Sequence, residues 1–176
     1  LSKDEITHIL TGICEGLSYA HQQNVLHRDI KPSNVLITKE GIAKLSDFGL
    51  GIAPGDAIST DPSVYRDEPA QNVFAGTLKY MSPERLGGKP ATISDDIYSL
   101  GMVMWDMLKI RPDEHLESIA QRSVHTLPVR RFQTINELKD TIANSSLSTP
   151  GYQGAGFLEG IAIHFSGLWG RNSARS

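Results

Sequence analysis

The chain has 176 residues, with 17 Lys and Arg against 20 Asp and Glu for a formal net charge of -3, and it is 39% hydrophobic and 21% charged. That is enough apolar chain for one ordinary core, and the slight acidity and scattered basic residues leave no polybasic footprint for a nucleic-acid partner. A single cysteine, Cys14, rules out an intramolecular disulfide, and there is neither a signal-peptide pattern nor an apolar run of membrane-spanning length, so a cytoplasmic or nuclear setting without a membrane partner is expected.

Ile6, Ile9, Leu10, Ile13, Cys14, Leu17 and Ala20 recur at helical spacing, with Ser2 and Glu5 placed as N-cap and N3 of a capping box, so the chain is expected to open inside a helix. Cys14 lies on the apolar stripe with no His or Lys beside it in sequence, which predicts a small buried hydrophobe rather than a reactive thiol. After Gln23 the pattern changes. The stretch His27 to Leu36 packs charged residues and an Asn around Pro32 and reads as a loop. It leads into two short apolar runs, Val35 to Ile37 and Ala43 to Leu45, which predict a small hairpin with Gly41 in its turn.

Asp47, Phe48 and Gly49 follow the second run, so acidic loops flank both ends of one hairpin. Asp29, Asn34 and Asp47 are therefore expected to converge there. Asn34 and Asp47 would offer an amide oxygen and a carboxylate suited to Mg2+, a hard cation that takes few protein oxygens. Asp29 would remain free as a base, and Lys31 would add a point charge for an anionic group in transfer. The chemistry suggested is phosphoryl transfer.

Between Gly49 and Gly76 lies a polar span with hydroxyls at Ser59, Thr60, Ser63 and Tyr65. Ile97, Leu100, Met102, Val103, Met104, Met107 and Leu108 then surround a helix from Ser94 to Leu108, as expected of one buried on all sides, its methionines filling core. Pro112 to Ser123 leaves room for little more than one further helix. Thr134 and Glu137 predict a second capping box, opening a helix through Leu138 and Ile142. Residues 145–176 carry six of the 16 glycines and are expected to be a disordered tail, setting the domain at residues 1–144.

His27-Arg28-Asp29-Ile30-Lys31-Pro32-Ser33-Asn34 followed by Asp47-Phe48-Gly49 resembles the catalytic and magnesium loops of eukaryotic protein kinases. Gly76 to Arg85 resembles the end of a kinase activation segment, with Ser82-Pro83-Glu84 in place of the common Ala-Pro-Glu. Asp96 to Gly101 resembles the start of the central helix of the large lobe. The resemblance implies a mainly α (α+β) fold, the kinase large C-terminal lobe, with small β-hairpins at the cleft. It implies a serine/threonine kinase using ATP and Mg2+ on a protein substrate. Asp29 would orient the proton of the attacking hydroxyl, Asn34 and Asp47 would hold Mg2+, and Lys31, with Thr77 bonded to it, would contact the phosphoryl group. His27 would pack the loop, Arg28 would meet a phosphate added to Ser59, Thr60, Ser63 or Tyr65 by an upstream activating kinase, and Asp96 would brace the loop. Glu84 would pair with Arg130 or Arg131. The words Lys31-Pro32-Ser33-Asn34-Val35-Leu36 and Tyr80 to Leu86 are similar to those of mitogen-activated protein kinase kinases, which would allow dual specificity.

The sequence departs from that family in lacking a glycine-rich loop, a strand lysine and a helical glutamate, all belonging to a small lobe expected before residue 1. On this reading the chain alone would be inactive, with apolar surface exposed at the cleft. The alternative is a non-catalytic kinase-lobe fragment acting as a protein-binding module or decoy.

Overall fold

The computed structural model describes residues 2–48 and 78–145. The chain enters helix α1 (Lys3–Gln22) through the expected capping box: the Ser2 hydroxyl accepts the Glu5 N–H at 3.2 Å while the Glu5 carboxylate accepts the Ser2 N–H. The helix ends in a Schellman motif, with Asn24 at φ 58°, its N–H on the His21 carbonyl at 3.0 Å and the Val25 N–H on the Ala20 carbonyl at 2.9 Å. Asn tolerates that left-handed position better than most residues. The turn points the chain into the loop that carries Asp29.

A single 3-10 turn, Pro32–Asn34, delivers the chain to strand β1 (Val35–Ile37), which pairs antiparallel with β2 (Ala43–Leu45) in the register Val35 to Leu45, Leu36 to Lys44 and Ile37 to Ala43. Gly41 sits at φ 81° in the connecting turn, where a side chain would be strained. Val35 and Ala43 are buried, and β2 lies on α1 so closely that a Cβ on Gly12 would stand 3.4 Å from the Ala43 Cβ. This is the sole hairpin among the described residues, where more than one was expected.

Four helices complete the described part: α2 (Pro83–Leu86), α3 (Ile93–Leu108), α4 (Glu114–Ser123) and α5 (Ile135–Asn144). Asp95 starts α3 by accepting the Thr92 N–H at 2.6 Å and its hydroxyl at 3.0 Å. Helix α3 packs chiefly on α4, with lighter contact to α1 and α5, and buries Ile97, Leu100, Val103, Met104, Met107 and Leu108. Each such side chain contributes about 1.5–3 kcal/mol on leaving water. Helix α1 packs on α5 and on β2, and its buried Ile6, Ile9, Leu10, Ile13, Cys14 and Leu17 share one core with Ile135, Leu138 and Ile142 of α5.

The start of α5 corrects the expected capping box. Thr134 does accept the Glu137 N–H, at 3.1 Å, but the Glu137 carboxylate reaches one residue further back, to the Gln133 N–H at 2.8 Å, because Arg122 of α4 draws it aside. No described helix is long and apolar enough to cross a membrane. Of the expected tail at 145–176, Ser145 is buried at the end of α5 with its hydroxyl on the Ile142 carbonyl at 2.6 Å, and residues 146–176 lie outside the described residues.

Candidate active site

The loop between α1 and β1 is fastened by one carboxylate. Asp96, 1% exposed in the first turn of α3, accepts the His27 N–H on Oδ2 at 2.9 Å and the Arg28 N–H on Oδ1 at 2.8 Å. Two successive amides converge on one acceptor group when one residue of the pair takes the left-handed region, and Arg28 stands at φ 69°. That strain costs on the order of 1–3 kcal/mol and persists only where surroundings over-determine it. Asp96 thus holds the loop through two successive backbone amides. The His27 side chain, fully buried, reaches the chain leaving β2 at the open end of the hairpin, where its Nε2 lies 2.9 Å from the Ser46 carbonyl and its ring 4.5 Å from that of Phe48. A carbonyl only accepts, so Nε2 carries the proton, and Nδ1 is left as acceptor for the Asp29 N–H at 3.4 Å.

Around this anchor the four chemistry-bearing side chains gather at one end of the hairpin. Asn34 donates its amide nitrogen to the Asp29 carbonyl at 2.8 Å and to the Asp29 carboxylate at 3.1 Å. Two acceptors on one side fix the amide, so its oxygen faces away from Asp29 and is met by the Ser33 hydroxyl only at a long 3.4 Å. Ser46 ties the two strands' ends together: its N–H reaches the Asn34 carbonyl at 2.9 Å and its hydroxyl reaches Asp47 Oδ2 at 3.1 Å. Asp47 is exposed and stands at φ 59°, the second strained residue of the site. The convergence expected of Asp29, Asn34 and Asp47 is therefore built through Asn34 and Ser46.

Asp29 has a charged neighbour: the Lys31 ammonium lies 2.8 Å from its Oδ2, on the same oxygen that accepts from Asn34. With Lys31 two residues on in an extended conformation at φ -154° and ψ 162°, its side chain returns to the same face of the loop as Asp29, and opposite charges meet.

The donor set suits a hard divalent cation, Mg2+ among them. Asp47 Oδ1 and the Asn34 amide oxygen are hard neutral or anionic oxygens. Among the described residues no group of three or more His, Cys, Asp or Glu side chains forms a cage. A cation that is satisfied by one carboxylate and completes its shell from water and phosphate suits such a pair.

A second polar constellation joins α2 and α3. Arg131, wholly buried, grips Glu84 with both terminal nitrogens, at 2.5 and 2.8 Å, while also donating to the His125 and Ser94 carbonyls and lying 4.8 Å over the Tyr98 ring. Of the two arginines open from sequence, Arg131 is the partner, and Arg130 is exposed. Burial pushes the Glu84 carboxyl up, but the Arg131 guanidinium and the backbone N–H together outweigh it and hold the group below its ordinary 4.5. Ser82 caps α2 by accepting the Arg85 N–H at 3.2 Å and donates its hydroxyl to Asp95. Ser in place of the common Ala here makes one more link between α2 and α3.

Sequence reasoning missed three residues. His21 donates to Asp96 Oδ2 at 2.8 Å from the end of α1. Ser46 makes the bridge just described. Asp106, buried near the end of α3, gathers Lys79 at 2.5 Å, the Tyr80 hydroxyl at 2.7 Å and Lys109 at 2.9 Å. Asp106 had a signal, being the sole charge between Ile97 and Leu108: a charge inside a buried helix must be paired. Gly49, Thr77 and the hydroxyls Ser59, Thr60, Ser63 and Tyr65 lie outside the described residues.

A model of the family described as "Protein kinase domain" matches residues 1–153. The probable serine/threonine-protein kinase PknB of Corynebacterium glutamicum is 34% identical over 142 residues, covering 79% of this chain and 21% of that protein. The MAP kinase kinase skh1/pek1 of Schizosaccharomyces pombe is 41% identical over 99 residues, 56% of this chain and 24% of that protein. The MAP kinase kinase MKK1/SSP32 of Saccharomyces cerevisiae is 36% identical over 107 residues, 61% and 19% respectively. The chain spans about a fifth of the length of such relatives, as the 21% coverage of the first illustrates.

Proposed function

The chain belongs to the protein kinase domain family, and from that premise we propose that it forms the large, C-terminal lobe of a serine/threonine protein kinase that transfers the γ-phosphoryl group of ATP to protein hydroxyls. The observation that carries the reading is the gathering of Asp29, Lys31, Asn34 and Asp47 at one end of the hairpin. In such a transfer the protein supplies position and charge, with little covalent chemistry of its own.

Asp29 accepts the proton of the incoming hydroxyl at its carboxylate, held for that task by the Asn34 amide. Lys31, already against Asp29, swings its ammonium between that carboxylate and the transferred group, so positive charge stays on the line of attack. Asn34 and Asp47 would hold Mg2+, which when bound neutralises charge on the phosphate oxygens. Thr77 would steady Lys31 and Asp29. His27, Phe48 and Asp96 keep the two loops in register, and Glu84 with Arg131 keeps the end of the activation segment on α3.

The likeness to two MAP kinase kinases, and the words Lys31 to Leu36 and Tyr80 to Leu86, support a dual-specificity signalling kinase of that kind. An upstream kinase would then act on Ser59, Thr60, Ser63 or Tyr65, and the new phosphate would meet Arg28. A cytoplasmic or nuclear protein partner fits that role.

The test is incorporation of labelled phosphate from Mg-ATP into a general protein substrate by the longest natural chain that carries this segment. Asp29→Asn is expected to cut the rate by about 10²- to 10⁴-fold. Full activity in that variant would overturn the assignment. Binding of a protein partner without any transfer would favour a non-catalytic binding module.

A further inference from the structure

We propose that Arg85, with Lys89, forms a binding site for a phosphate monoester carried on a protein, outside the loops that hold Asp29 and Asp47. Arg85 is 6% exposed, and a guanidinium taken that far out of water is ordinarily matched by a carboxylate. Arg131 obeys that rule, with both terminal nitrogens on Glu84. Arg85 does not. Its Nη1 donates at 2.6 Å to the Lys89 carbonyl, a neutral acceptor, and among the described residues no carboxylate pairs with it. The carboxylates nearest to it in sequence on α2 and α3 are already committed, Glu84 to Arg131, Asp95 Oδ1 to the Ser82 hydroxyl and Asp95 Oδ2 to Thr92.

The edge of the guanidinium that remains has a defined chemistry. Nε and Nη2 make no hydrogen bond among the described residues, and neither is sealed from solvent. Their N–H bonds run parallel along one side of the planar group, the fork that meets two oxygens of one carboxylate or phosphate. The backbone sets its direction. Helix α2 ends in a Schellman motif, with the Lys89 N–H on the Glu84 carbonyl at 3.0 Å, the Gly88 N–H on the Arg85 carbonyl at 2.9 Å and Gly88 at φ 81°. That turn brings the Lys89 carbonyl back onto Nη1, so the fork is oriented before a ligand arrives. A Cβ built on Gly88 would meet nothing within 4 Å, so the space beside the turn is open. The Lys89 side chain is exposed and forms no ion pair among the described residues, and its own carbonyl touches Arg85, so its ammonium is within reach of a group held there. Two cations without an anion of their own suit a phosphate dianion better than a single carboxylate.

The probe is a pool of short peptides with one fixed phosphoserine and randomised flanks, titrated into the 176-residue chain beside the same pool with Ser or Glu at the fixed place, and beside inorganic phosphate. Binding is read at the Arg85 side-chain Nε–H and the Gly88 and Lys89 amides in nitrogen-proton correlation spectra. The phosphoserine pool is expected to shift these resonances and the Ser pool to leave them in place. Arg85→Lys, which keeps the charge and loses the fork, should weaken binding about tenfold or more, as loss of a hydrogen bond to a charged group implies. Lys89→Ala, at an exposed side chain, should weaken it roughly two- to fivefold. No shift at Arg85, or a Glu pool bound as tightly as the phosphoserine pool, would overturn the proposal. Inorganic phosphate bound as tightly as the phosphoserine pool would overturn the assignment to a protein-borne group. Should Arg85→Lys not fold, Lys89→Glu, which sets a negative charge beside the fork, takes its place and is expected to abolish binding; undiminished binding there would also overturn the site.

This site does not depend on the phosphoryl-transfer reading. Asp29→Asn, which tests the transfer, is expected to leave phosphoserine binding unchanged, and Arg85→Lys leaves Asp29, Lys31, Asn34 and Asp47 in place. A chain that transfers no phosphate yet binds the phosphoserine pool through Arg85 would sink the kinase assignment and leave the site standing. An active chain whose Arg85 resonance ignores the pool would do the reverse.

Discussion

Arg131 and Glu84 are 47 residues apart in sequence yet form a bidentate pair with the guanidinium wholly out of water. Taking one partner away leaves a buried charge without its mate, so Arg131→Ala is expected to cost about 3–5 kcal/mol in a denaturant titration. Arg131→Lys should recover only part of this, because an ammonium cannot reproduce the two parallel hydrogen bonds or the stacking on Tyr98. The thiol of Cys14 behaves in the opposite way to a reactive one. Burial pushes it up to about 12, and the Lys139 ammonium across on α5 lowers it far too little to compensate. Iodoacetamide at neutral pH should leave Cys14 unmodified in the folded chain and alkylate it fully in denaturant. Rapid labelling under native conditions would contradict the packing of α1 on α5.

Elements meet here with little room to spare, most tightly where α3 crosses the end of α4. A Cβ placed on Gly101 would stand 2.6 Å from the Ser123 Cβ and 2.8 Å from Val124 Cγ1. Neither is the far end of a flexible chain, so the helices must part. Gly101→Ala gains about 1 kcal/mol of helix propensity and loses about 1–3 kcal/mol to overpacking. We expect a net fall in melting temperature, measured by circular dichroism, and a rise would show that α4 yields.

At the same scale the hairpin was legible from sequence, since two short apolar runs around a glycine leave few options, while its register was not read there. The N-cap of α1 and the near-complete burial of α3 were legible for equally local reasons. What sequence could not supply was the cross-element chemistry. The bond from His21 to Asp96 spans 75 residues and the Lys79 to Asp106 pair spans 27, and neither has a periodicity to betray it. The choice between Arg130 and Arg131 was likewise decided by which side of the Pro128–Arg130 turn faces α2. The pairing of Lys31 with Asp29 went unforeseen because proximity of opposite charges depends on the loop's extended backbone, which composition does not fix.

For the molecule as a whole, acidity sets a boundary to stability. Burial raises Glu84, Asp106 and Asp113, but their hydrogen-bonded cations and N–H donors outweigh it, and the Gln133 N–H lowers Glu137, so all four carboxyls fall below their ordinary values of 4.5 for Glu and 3.8 for Asp. A depressed folded value means that the unfolded chain binds the proton first. The stabilisation is then complete above those ordinary values and is lost as pH falls through the lower folded ones. The urea midpoint is expected to be insensitive to these groups between about pH 5 and 7 and to drop below about pH 4. Asp106→Asn should flatten part of that drop. Tyr80 moves the other way: burial, then the Asp106 carboxylate beside it, pushes its phenol well above the ordinary 10.0, so it should stay un-ionised wherever the fold survives alkali.

The packing of α1 on α5 also has a consequence in time. Ser18 and Asn136, which join them by a 2.8 Å hydrogen bond, are 118 residues apart, so on the ribosome the first helix is finished long before its cover exists. At about 5–20 residues per second the wait is roughly 6 to 24 s, many orders of magnitude longer than a helix needs to form. Throughout that interval Ile6, Ile9, Leu10 and Ile13 lie within a nascent chain that has no α5 to shelter them, and a holding chaperone that reads apolar helix faces would find them there during synthesis.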